Sequence, residues 1–287
     1  MIRFGPAGNS NSFYAQGHKR TTEAFVWVAH MGLNAFEYSF GRGVQLSQAT
    51  AEAIGEAAAK ENVQLSVHAP YYINLATEDT DKAANNIRYL MQSATAAGWM
   101  GAKRVVFHPG TPGALSYPDA LARVKAALLV AAEALGSLLD HVALCPETMG
   151  RPKQIGSLEE TIELCQLDNR FIPTLDFAHL HARGKGAINT EQDYANILDK
   201  LQKGLGRERA KHFHVHFAHI QYTAAGEKMH RTFADEGYGP DFQPLARQLV
   251  QRGMEPVIIC ESQGTMAEDA AEMKRIYQEE LTIYENR

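Results

Sequence analysis

A closed (β/α)8 TIM barrel in one domain, residues 1–287, with its working face at the C-terminal end of the strands, is the architecture this sequence predicts. Three observations predict it. Eight short β-rich runs occur, each is followed by a stretch with helical spacing, and no low-complexity segment, charge block or Pro/Ser-rich linker interrupts the 287 residues. The runs fall at 2–5, 34–38, 63–67, 104–107, 142–145, 172–175, 213–217 and 257–260. The helical stretches fall at 21–31, 48–61, 82–99, 117–139, 158–165, 190–203, 242–251 and 266–283. Eight strand-then-helix units with apolar strands buried on both faces describe a closed parallel sheet. An open doubly wound sheet usually has fewer units and a glycine-rich first turn, and the GPAGNS that ends the first run is not a GxGxxG.

Taken in order, the elements carry their own punctuation. Ser47 stands as N-cap before the helix at 48–61, and Ser157 with Glu160 three residues on makes a capping box before the helix at 158–165. In such a barrel the residue that ends each strand reaches the working face. The second run ends in Phe36-Glu37-Tyr38, where an inward hydrogen bond is expected of Glu37. The third ends in Ser66-Val67-His68-Ala69-Pro70-Tyr71-Tyr72 and the fourth in Val106-Phe107-His108-Pro109-Gly110. The fifth gives Cys145-Pro146-Glu147-Thr148, and the sixth Leu175-Asp176-Phe177-Ala178-His179. The seventh gives His214-Val215-His216-Phe217, and the eighth Ile259-Cys260-Glu261-Ser262. Six consecutive strands thus deliver His, Asp or Glu to one rim. Each alone reads as a hydrogen-bonded structural residue. Together, four or more carboxylates and imidazoles in one mouth desolvate and repel one another unless cations compensate them, and these are donors that zinc, manganese and iron accept. His214 and His216, two apart on a strand, point to the same side.

Composition narrows the classes. With 45% hydrophobic and 21% charged residues the chain can bury a sizeable core. MIRFGPAGNS has no basic stretch leading into an apolar run, and no window approaches the roughly 18 apolar residues of a membrane span, so a cytoplasmic monomer without membrane association is expected. The 3 cysteines, Cys145, Cys165 and Cys260, are too scattered for a disulfide framework or a CxxC zinc site. A net charge of -5 gives no global attraction to nucleic acid but does not preclude a local cationic face.

The strings SVHAPYYINL, VVFHPG, PETMG, LDFAHLHARG and IICES resemble the strand-end motifs of the endonuclease IV family, the metal-dependent apurinic/apyrimidinic endonucleases (AP endonuclease family 2) of the xylose-isomerase-like TIM barrels. The resemblance runs from GPAGN to the last strand, and its specificity lies in the ordered set. It implies a cluster of two or three zinc ions, with manganese as a variant. His68 and His108 would hold the first ion, and Glu147 would bridge it to a second held also by Asp176, His216 and Glu261. His179 would hold the third. The family commonly supplies Asp-x-His to that ion after strand seven, whereas this chain reads Gly226-Glu227-Lys228-Met229-His230-Arg231, the mark of a divergent branch. His230 fits, and the acidic partner is either Glu227 or absent, with Glu227 solvated.

The activity so implied is a nick 5′ to an abasic site in double-stranded DNA, as in base excision repair, with Glu147 and Glu261 orienting the nucleophilic water. Arg151, Lys153, Arg183, Lys185 and Arg231 follow strands five to seven and offer phosphate contacts, or are ordinary solvated loop charges. The matching family tyrosine suggests that Tyr71 or Tyr72 enters the duplex, with Tyr71 the exposed one and the other in the core. The competing class is a sugar isomerase or epimerase with one manganese or cobalt ion, for which Glu147, Asp176, His216 and Glu261 alone suffice and His68, His108, His179 and His230 are surplus. A silent metal-binding scaffold is a third. His181, His212 and His219 stand near the expected ligands, either orienting them or doing nothing of the kind; His18, His30 and His141 read as surface or packing residues.

Overall fold

The computed structural model describes residues 1–286. Eight parallel strands form the barrel: β1 (Arg3–Pro6), β2 (Ala35–Ser39), β3 (Gln64–His68), β4 (Arg104–Phe107), β5 (Ala143–Pro146), β6 (Thr174–Asp176), β7 (His214–Phe217) and, after a hairpin, β10 (Val257–Cys260). The hairpin pairs β8 (His219–Thr223) with β9 (Gly226–Arg231). The eight expected strands are all present, each within about two residues of its sequence bounds.

The barrel is made of two continuous ladders, β2-β3-β4-β5 and β1-β10-β7-β6. They meet at two seams, each marked by a single parallel bridge, Ala7 to Glu37 and Glu147 to Thr174. At the first seam the Asn34 amide donates to the Phe4 carbonyl at 3.0 Å, and Asn34 Oδ1 accepts from the Phe4 amide at 3.0 Å, so a side chain replaces a missing ladder partner. At the second, Thr148 Oγ1 accepts from the Asp176 amide at 2.8 Å.

Strand alternation sorts the residues into two layers. Outward positions such as Val67, Phe107, Leu144, Val215 and Ile258 join the main core beneath the helices. Inward positions are the surprise for strands read as apolar on both faces. Ala35, Val257 and Ile259 make only a small apolar cluster, and Glu37, Ser66, Arg104, His214 and His216 are buried beside it.

The helices keep their expected caps. Ser47 Oγ accepts from the Thr50 amide at 3.2 Å, and Ser157 with Glu160 forms the full capping box. The stretch expected as one helix over 117–139 ends as α-helix at Leu135, because Gly136 (φ 50) leaves helical geometry and the chain continues as a 3-10 turn, Gly136–Asp140. Three short helices, Asn11–Ala15, Phe177–Arg183 and Arg207–Lys211, and the hairpin carry too little periodicity to be read from sequence. Among the described residues no helix is long and apolar enough to cross a membrane.

Candidate metal centre

The strand ends converge on a cavity of about 520 Å³ at the C-terminal mouth, lined among others by His68, His108, Glu147, His179, His230 and Glu261. Its donors fall into three adjoining groups. In the first, His68 Nε2 and His108 Nε2 lie 3.3 and 3.2 Å from Glu147 Oε2. The second comprises Glu147, Asp176, His216 and Glu261, with His216 Nδ1 at 3.3 Å from both Glu147 Oε1 and Glu261 Oε1. The third comprises Asp176, His179 and His230. Glu227 joins it from the hairpin, its Oε2 3.4 Å from His179 Nε2.

A β-bulge puts Glu227 there. Gln221 pairs with Met229 and Tyr222 with Glu227, which leaves Lys228 as the unpaired extra residue of β9. In a regular strand residues 227 and 230 would face opposite sides; one inserted residue brings Glu227 and His230 to the same side. The loop after β5 crosses so close that a Cβ on Gly150 would lie 2.5 Å from Glu227 Oε2.

These residues suit divalent cations on three counts. First, with metal–ligand bonds of about 2.0–2.1 Å a tetrahedral site has ligand–ligand edges of about 3.3 Å. The donor pairs above lie at 3.2 to 3.4 Å, longer than the usual N–H···O bond. Second, Asp176 Oδ2 and Glu227 Oε2 are buried without a hydrogen-bond partner. Third, the electrostatics describe a cluster in which imidazoles stand in for cations. Burial pushes the Glu147 carboxyl up, yet His216 and His108 hold it well below the usual carboxylate range. Burial opposes the charge on His68, yet Glu147 carries its pKa up to about 9, and His179 and His216 are raised well above the ordinary histidine value by Asp176 and by Glu261 respectively.

Residues 25–283 match the family described as xylose isomerase-like TIM barrel. The chain belongs to that family. An uncharacterized protein of Methanocaldococcus jannaschii is 31% identical over 279 residues, covering 97% of this chain and 98% of that one. A probable endonuclease 4 of Staphylococcus epidermidis is 28% identical over 158 residues, 52% of this chain and 50% of its own length, so the alignment spans about half of that relative. Two solved structures share the fold: an endonuclease IV from Thermus thermophilus (TM-score 0.74, 23% identity, 98% and 99% of the two chains) and a D-tagatose 3-epimerase-like protein (TM-score 0.72, 20% identity, 99% and 99%).

The xylose isomerase-like barrel places the remaining expected residues unevenly. Tyr71 is 66% exposed at the cavity rim, and Tyr72, expected in the core if Tyr71 was out, is also exposed at 43%, packed edge-to-face on Tyr71 and Tyr89. Arg151 and Lys153 are exposed on the loop after β5 and Lys185 on the loop after Phe177–Arg183. Arg183 departs from its expected role: its Nη1 donates to the carbonyls of Arg151 and Gln154 at 2.8 and 3.0 Å, and its Nη2 to Tyr117 Oη at 3.2 Å. That guanidinium clamps the loop instead of facing a phosphate. Arg231 is tied to Gln221 Oε1 at 2.6 Å and sits 4.9 Å over the Tyr238 ring.

The histidines considered as orienting groups do something else. His181 bonds the Ile188 backbone, His219 stacks on Phe233, and His212 is exposed beside Glu255. The orienting contacts come from elsewhere: the carbonyls of Ala69 and Thr148 meet Nδ1 of His68 and His179 at 2.7 and 2.9 Å, and Glu37 Oε1 lies 2.9 Å from His216 Nε2. The expected inward bond of Glu37 is present, and Arg104 and Ser66 below it went unnoticed in sequence. The available signal was a charged residue opening an otherwise apolar run, Arg104-Val105-Val106-Phe107.

Proposed function

We propose that the protein is a metal-dependent apurinic/apyrimidinic endonuclease that hydrolyses the phosphodiester 5′ to an abasic site in double-stranded DNA, with two or three zinc ions held by the cluster. The observation that carries this reading is the division of Glu147, whose Oε2 faces His68 and His108 while its Oε1 faces His216. A single cation needs one of those sets, and a carboxylate shared between two sets supports a pair.

Bound there, divalent cations supply a water acidified to near neutral pH and neutralise charge that develops on phosphoryl oxygens. The chain's residues do the rest. Glu147 and Glu261 line the cavity, where they orient the attacking water, and Glu261 takes its proton. His179, His230 and Glu227 hold the side of the cavity under the hairpin, where the leaving 3′ oxygen is received. Tyr71 enters the duplex beside the lesion, Arg151 and Lys153 meet phosphates from the loop after β5, and Arg231 stays near its Tyr238 contact at the rim.

The test is cleavage of an abasic duplex by protein whose metal content has been counted by elemental mass spectrometry. Cleavage by a protein with close to three ions, and loss of about one ion in His179→Ala, are the expected results. No cleavage with the ions verified in place would sink the reading. A second reading, a one-metal manganese or cobalt sugar epimerase, is favoured by the four donors of the second group, which form a complete ligand set by themselves. It requires one ion per chain, unchanged in His179→Ala.

A further inference from the structure

Beneath the metal cluster lies a buried chain of polar groups that ligand counting does not use. Arg104 is buried and makes no ion pair with a carboxylate among the described residues. Its Nη1 donates to the Phe213 carbonyl at 3.1 Å and lies 3.1 Å from His214 Nδ1, and its Nη2 donates to the His212 carbonyl at 2.7 Å. A guanidinium has donors only. The imidazole nitrogen that meets it therefore bears a lone pair, and the proton of His214 sits on Nε2. That nitrogen is 3.1 Å from Glu37 Oε2, which also accepts from Ser66 Oγ at 2.7 Å.

The second oxygen of Glu37 continues the chain. Oε1 lies 2.9 Å from His216 Nε2 as an ion-pair contact, and neither atom makes an aligned hydrogen bond to any other group. An ionised carboxylate only accepts, so Nε2 of His216 keeps a proton, and Nδ1, which meets Glu147 and Glu261, is the nitrogen left to give a lone pair to a cation. His216 is thus reversed relative to His68 and His179, whose Nδ1 atoms face backbone carbonyls and whose Nε2 atoms face the cluster.

We propose that Arg104, His214 and Glu37 are positioning residues that hold His216 in the tautomer whose Nδ1 faces Glu147 and Glu261. Arg104 and Glu37 are charges of opposite sign separated by one neutral imidazole, so the carboxylate is balanced without being capped and keeps Oε1 for His216. The three-residue set Glu37, His214 and His216 has the makings of a further cation site, but its contacts at 2.9 and 3.1 Å are shorter than the about 3.3 Å edge of a tetrahedral site and a guanidinium already stands at its end. The proposal rests on reading the mouth as a cation site.

The experiment is long-range ¹⁵N–¹H correlation of histidine-labelled protein, metal-free and loaded with zinc chloride, joined to zinc competition titrations. His214 is expected to carry its proton on Nε2 in both states, and loaded His216 to carry its proton on Nε2 with Nδ1 shifted by coordination. Glu37→Gln offers an amide that cannot accept from both histidines; zinc affinity should fall about 10- to 100-fold, as for other outer-shell ligand supports. Arg104→Lys, which retains one donor toward His214, should keep the Nε2–H signal. A His214 protonated on Nδ1, or a loaded His216 bound through Nε2, overturns the proposal without touching the cation reading. A protein that shows the His214 pattern but takes up no zinc overturns the cation reading alone.

Discussion

Glu147 and His68 illustrate how much of this site's behaviour is set by single ionisations. Without cations, His68 titrates near 9 because the Glu147 carboxylate beside it outweighs the burial that opposes its charge. Cation uptake at neutral pH must therefore displace protons, and affinity must fall as pH falls. Calorimetric titration with zinc at pH 7 in two buffers of different ionisation enthalpy should give apparent heats that differ in proportion to the protons released; equal heats would contradict the assignment. The linked stability has the opposite sign. A histidine whose pKa rises on folding contributes stability that is complete below its unfolded value, near 6.5, and lost as pH rises through about 9. The chelated protein should accordingly lose urea resistance between pH 6.5 and 9, and the zinc-loaded protein should not. Legibility at this scale followed chemistry. His68, His108, Glu147, Asp176, His216 and Glu261 were readable because each ends a strand whose place on the rim the barrel dictates. Arg104 and Ser66 were not, because an inward side chain deep in a strand looks in sequence like any other alternation.

The hairpin is the element on which the third group depends. Its bulge at Lys228 turns a three-residue spacing into a same-side pair, which periodicity alone cannot foresee, since it depends on how one strand pairs with another. Gly150 is the matching requirement on the opposite loop. Its backbone is not left-handed, so Gly150→Ala should cost no conformational strain, yet the added Cβ would lie 2.5 Å from Glu227 Oε2 and 3.0 Å from His179 Cδ2. The variant should fold, keep the ions of the first two groups, and lose about one ion by elemental mass spectrometry. Retention of all ions would remove Glu227 and His179 from the ligand set together. The repeating strands and helices were legible because eight copies of one alternation reinforce each other; the hairpin and three short helices are singular, and nothing repeats to announce them.

Over the whole molecule, the two seams are where the barrel's strand ladder is interrupted. A Cβ on Gly5 would lie 1.8 Å from the Ala35 carbonyl oxygen across the first seam, a clash with backbone that no rotamer relieves. Gly5→Ala should destabilise the protein by about 3 kcal/mol, read as a lower urea midpoint. The seams also divide the donors. His68, His108 and Glu147 come from the β2–β5 ladder, and Asp176, His216 and Glu261 from the other. A zinc ion present at about 1,000 times its dissociation constant would add about 4 kcal/mol to folding, and held by these donors it would act across the joints between the ladders. Amide exchange at Phe4, Asn34 and Thr148 should therefore quicken on chelation more than exchange within either ladder. Such joints bear on the lifetime of the protein in a cell as well as on its chemistry. On the proposed cation reading, a copy without its ions would be the one whose joints open, and an open joint would present bare strand edges to proteases. Degradation would then remove the unmetallated copies first, and the surviving population would be a metallated one without any dedicated inspector.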